Sequence, residues 1–76
     1  MIIRSQDKKT ITTDLNLSIY AADFDCFPIE NHRGMEMGVY STKEKAIKVL
    51  DMIEDACRNI AFTDGVVFHM PQDSEV

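Results

Sequence analysis

The sequence is poor in the residues that usually announce a site. It has no tryptophan, two cysteines, two prolines and three glycines in 76 residues. Cys26 and Cys57 do not make a disulfide framework, and with His32 and His69 they match no CxxC or HxxxH metal spacing. The glycines, Gly34, Gly38 and Gly65, are too far apart for a phosphate-cradling loop. No apolar run approaches the ~20 residues needed to cross a bilayer. Met1-Ile2-Ile3 runs straight into Arg4 and polar residues, which is not a signal-peptide pattern. The expected compartment is therefore the reducing cytosol. Positive charge is also scarce: eight bases stand against thirteen acids, for a net charge of −5. The bases are dispersed, whereas phosphate neutralisation needs clustered Lys and Arg, so direct nucleic-acid binding is disfavoured.

What is present is enough for one small folded domain spanning residues 1–76. The hydrophobic fraction, 45%, is that of a globular protein and too high for intrinsic disorder. A chain of this length buries little more than half of its unfolded surface, so the core is thin. Self-association is one remedy for a thin core.

The helix is the strongest local signal. Ser41 reads as its N-cap and Glu44, three residues on, completes a capping box. Ala46, Val49, Leu50, Ile53, Cys57 and Ile60 recur at three- and four-residue steps and form one apolar stripe. The predicted helix covers about residues 42–61. Its polar back carries Glu44–Lys48 and Glu54–Arg58, each an acid four residues before a base.

Before the helix the pattern is extended. Ile2 and Ile3 suit a short strand, and Thr10-Ile11-Thr12-Thr13 is β-branched. Leu15, Leu17, Ile19 and Ala21 alternate with polar or small residues, as in a half-buried strand. Pro28 cannot donate to a ladder, so the strand around Phe24–Ile29 is expected at a sheet edge or broken. Residues 30–34 read as a turn, and Met35, Met37 and Val39 as one face of the next strand, giving a hairpin. Val66–Met70 is a last strand ended by Pro71, and residues 71–76 are expected to be a frayed tail. The predicted fold is α+β: a mostly antiparallel sheet of four or five short strands with the helix on one face, in the order β-β-β-β-α-β. The strands flanking the helix are expected to be parallel if they share a sheet.

Three segments carry a resemblance: Ile3-Arg4-Ser5-Gln6-Asp7-Lys8, then Gly38-Val39-Tyr40-Ser41-Thr42-Lys43-Glu44-Lys45-Ala46 with Val49–Ile53, and Phe68-His69-Met70-Pro71-Gln72-Asp73. They resemble a family of short, functionally uncharacterised proteins of low-GC Gram-positive bacteria and their phages. The likeness fades across residues 14–33. It implies a bacterial cytosolic protein carried on a mobile element. It carries over no activity and no functional residue.

The candidate sites are few. Cys57 and His69 could be brought together by the return from helix to last strand, and an acid/base pair among Asp23, Asp25 and Glu30 is a second enzymatic reading, though a loop rich in acids is usually only solvated. Nothing local activates Cys57, since a thiolate is disfavoured late in a helix. No catalytic, cofactor-binding or metal residue is assigned, and no cofactor is expected. Tyr20, Phe27, Ile29 and Tyr40 are expected on the sheet face the helix leaves open, as a surface for a protein partner or for self-association. The expected function is a small non-enzymatic protein-interaction module. The alternative is a nucleic-acid-associated regulator or an acidic nucleic-acid mimic.

Overall fold

The structure, a computed structural model, describes residues 1–13, 15–19, 26–59 and 66–76, and of Asn59 the backbone only. The described elements are β1 (Ile2–Arg4), β2 (Ile11–Thr12), β3 (Leu17–Ile19), β4 (Phe27–Asn31), β5 (Glu36–Tyr40), α1 (Lys43–Asn59) and β6 (Val67–His69), followed by a 3₁₀ turn, Asp73–Glu75. The α+β class is as expected. The single sheet is not: the strands form two three-stranded sheets, ordered β2-β1-β6 and β3-β4-β5. Five strands precede the helix, because the two extended stretches after residue 10 enter different sheets.

In the first sheet β2 runs antiparallel and β6 parallel to β1. The second sheet is antiparallel throughout. The strands that flank α1 therefore do not share a sheet, since β5 lies in one and β6 in the other. The free edge of β5 is already taken by Gln6. Its backbone N–H donates to the Met37 carbonyl at 2.7 Å. Its side-chain amide pairs with the Val39 backbone, Oε1 accepting at 3.0 Å and Nε2 donating at 3.2 Å. One glutamine thus stands in for a strand neighbour and joins the two sheets.

The same bond explains why Pro28 is tolerated on β4, the central strand of its sheet rather than an edge. Pro28 lies opposite Val39. Val39 turns its N–H and C=O toward Gln6, away from β4, so this is a non-hydrogen-bonded pair and β5 asks nothing of the proline nitrogen.

The β4–β5 hairpin carries a bulge. Ile29 pairs with Gly38, and Glu30 with Glu36, so Met37 is an extra residue on β5. A one-residue slip exchanges the two faces of a strand. Met37 is buried before the slip and Tyr40 is buried after it, while Met35 is 44% exposed. Gly38 makes room for the tyrosine: a Cβ there would lie 3.1 Å from Tyr40 Oη and 3.3 Å from Met70 Cε.

α1 packs on β3, β4 and β5. Its buried residues, Ala46, Val49 and Ile53, belong to the stripe read from the sequence, with Leu50 and Cys57 half-buried beside them. Ile3 of β1 and Met70 complete a shared core with Ile29, Met37 and Tyr40. The cap is shifted by one residue from expectation. Thr42 Oγ1 accepts the Lys45 N–H at 3.1 Å, making Thr42 the N-cap and leaving Glu44 outside a capping box. Ser41 is used otherwise, as described below. The expected helix end at 60–61 lies outside the described residues.

Candidate functional site

Tyr40 and Ile29, read from the sequence as members of an open docking face, have no exposed surface and sit in the core. Phe27 is half-buried against the same core. Tyr20 lies outside the described residues. The open-face reading fails at Ile29 and Tyr40 for one physical reason. Residues 27, 29, 38 and 40 share the face that points inward past the bulge, and the core fills it.

The second correction concerns the end of the chain. Residues 71–76 are docked instead of frayed. Pro71 O accepts two hydrogen bonds, from Tyr40 Oη at 2.8 Å and from Gln6 Nε2 at 3.1 Å. Gln72 Nε2 donates to Gln6 O at 2.8 Å. Asp73 receives the Ser41 N–H at 2.8 Å, and Lys45 Nζ donates to the Asp73 carbonyl at 3.0 Å and lies 3.4 Å from its carboxylate. Val76 packs against the core. The bond from Ser41 holds the Asp73 carboxyl below its ordinary value, with Lys45 adding to the effect. Burial pushes the Tyr40 hydroxyl up to about 12, helped by the charges of Asp73 and Glu75.

An open feature among the described residues lies beside β2 of the first sheet. A cleft of about 320 Å³ runs between β2 and the β4–β5 turn, lined by Ile11, Thr12, Thr13, Asn31, His32, Arg33 and Met35. Asn31, 5% exposed, shapes it. Its Oδ1 accepts the N–H groups of Arg33 and Met35, each at 3.0 Å. Gly34 takes a φ of +79°, open to glycine at little cost, and its N–H donates to Asn31 O at 2.9 Å. These bonds close the turn and hold His32 and Arg33 beside β2. Ile11 is 59% exposed and Met35 44% exposed. The lining combines an aliphatic pair with hydroxyls, an imidazole and a guanidinium.

Cys26 and Cys57 are half-buried free thiols. His69 is exposed on β6 and His32 is exposed in the turn. Among the described residues, no three His, Cys, Asp or Glu side chains gather as a metal-holding group. Among the described residues, no helix is long and apolar enough to cross a membrane.

The sequence missed Ile11 and Met35. Periodicity does not show that β2 is an edge strand, nor that Met35 precedes β5 at the hairpin turn. No protein-family model, curated protein or solved structure matches the chain.

Proposed function

We propose that this chain is a small non-enzymatic protein-interaction module that docks a protein partner, or a second copy of itself, through the cleft beside β2. The observation that supports this is that Ile11 and Met35, 59% and 44% exposed, share the lining of one cleft, whereas the other exposed large apolar side chains among the described residues, Leu15, Ile47, Met52 and Val67, are not on that lining. Exposed aliphatics around a concave surface mark docking sites more often than scattered ones do. β2 is an edge of its sheet, so an approaching segment meets no further strand of the first sheet there. A setting on a bacterial mobile element fits a module that regulates or inhibits a host protein in the cytosol.

The test is affinity capture and light scattering on the wild type and on the double variant Ile11→Asp/Met35→Asp. Both positions are exposed, so the variant should keep the wild-type circular dichroism. It should lose the captured partner or the dimer. A wild type that is strictly monomeric and captures nothing would reject the proposal, as would a partner that binds the variant equally well.

A further inference from the structure

The C-terminal segment combines tight docking with shallow anchoring. A set of surface hydrogen bonds holds it: Pro71 O with Tyr40 and Gln6, Gln72 with Gln6 O, and Asp73 with Ser41 and Lys45. Among the described residues Val76 packs half-buried against the core and Pro71 is half-buried, while Gln72, Ser74 and Glu75 are exposed. The residue just upstream behaves differently. Met70 is 1% exposed, and its N–H donates to Arg4 O at 3.0 Å, extending the β1–β6 pairing. The change from core to surface falls at Met70–Pro71.

The groove walls do not depend on the segment. Gln6 is held by Met37 and Val39, Tyr40 by β5 and the core, and Lys45 by the first turn of α1. Regions held by few buried apolar contacts and by surface hydrogen bonds are those that open below the free energy of global unfolding.

We infer that residues 71–76 are a releasable strap, which leaves its groove as a unit while both sheets and α1 stay folded. Opening takes the covering carbonyl off Tyr40 Oη and uncovers the Ser41 N–H and Lys45 Nζ. Two donors bonded to Asp73 become available beside a tyrosine that is fully buried in the docked state. The strap is thus an intramolecular cover, distinct from the cleft beside β2 and independent of what that cleft binds.

The experiment uses the full chain with the latch weakened, as Gln72→Ala/Asp73→Ala, followed by NMR. The expected result is random-coil shifts for residues 72–76, unchanged shifts for Ile3, Ile29, Val49 and Ile53, and a Tyr40 hydroxyl that titrates closer to an ordinary tyrosine. Loss of the core signals together with the tail would overturn the inference, because the segment would then be integral to the fold. A tail that stays docked would overturn the assignment of the latch. Hydrogen exchange on the unaltered protein supplies a second measurement. The Ser41 amide, bonded to Asp73, should exchange with a clearly shallower urea dependence than the Met70 amide, and equal dependence would refute independent opening.

Discussion

Tyr40→Phe should reverse its effect on stability as the pH rises. At neutral pH the substitution removes one buried hydrogen bond, Oη to Pro71 O at 2.8 Å. The carbonyl is not orphaned, since Gln6 Nε2 still donates to it at 3.1 Å. The cost is then that of a single bond, about 1 kcal/mol. The alkaline limb runs the other way. The wild-type hydroxyl titrates near 12 in the folded chain against an ordinary 10.0. A raised value gives stability that is complete below the unfolded value and is lost as the pH climbs through the folded one. Each pH unit in that window removes about 1.4 kcal/mol, so the wild type loses roughly 3 kcal/mol across it. Phenylalanine has nothing to titrate.

The two stability curves should therefore cross near pH 11, with the wild type ahead below the crossing and the variant ahead above it. Urea unfolding followed by far-UV circular dichroism, at several values between neutral and about pH 11, measures this difference directly. Every other titrating group, Tyr20 and the lysines included, is common to both chains and cancels. A difference that stays constant with pH would show that Tyr40 ionises in the folded protein as it does in the unfolded one. The burial argument would then be wrong.

Four further outcomes follow from the same geometry. Gln6→Ala should cost about 2–4 kcal/mol in urea unfolding, because it strips the N–H and C=O of Val39 of their partners where water reaches them poorly. Thr42→Ala should lower stability by about 1 kcal/mol, as loss of an N-cap does, while Ser41→Ala should cost clearly less because Ser41 is not the cap. Gly38→Ala should destabilise by roughly 1–3 kcal/mol in thermal unfolding, since the new methyl would press on Tyr40 and Met70 inside the core. On the acid side, the lowered values of Asp73 and Asp7 give stability that is complete above the ordinary 3.8 and is lost as the pH falls from there through the lowered folded values. Asp73→Asn should therefore flatten the decline of stability with acid, read from unfolding curves below that value.

The parts of the fold legible in the sequence were those set by local periodicity. The stripe Ala46, Val49, Ile53 needs only a 3.6-residue repeat and something flat to cover, and it is buried as read. Its cap was misplaced by one residue because Ser41 and Thr42 are both competent caps, and what separates them is distant. Ser41 gives both its N–H and its hydroxyl to Asp73, and Thr42 Oγ1 is the oxygen that accepts from the first turn. The period of two in the strands was legible as well, but a period says nothing about where it slips. The bulge at Met37 inverted the faces at Tyr40, and only the pairing of β4 with β5 reveals it. The tail escaped for a similar reason. Pro-Gln-Asp-Ser-Glu reads as polar and terminal, and its anchors, Gln6 and Tyr40, lie more than thirty residues upstream.

This division bears on where function can lie. A polar glutamine in a turn and a polar tail were the least promising residues by pattern, yet together they join the two sheets and seal the tyrosine. Of the residues the pattern assigns to an open face, Ile29 and Tyr40 are spent completely on the core and Phe27 in part. A domain this small has little apolar surface to divide, so what it leaves exposed is informative in proportion. Ile11 and Met35 remain uncovered on one cleft although burial of either would have thickened the core. A partner that covers the pair would remove that apolar surface from water. Such a partner should raise the thermal midpoint of the wild type and leave that of Ile11→Asp/Met35→Asp unmoved. A midpoint raised equally in both would place the partner elsewhere on the surface.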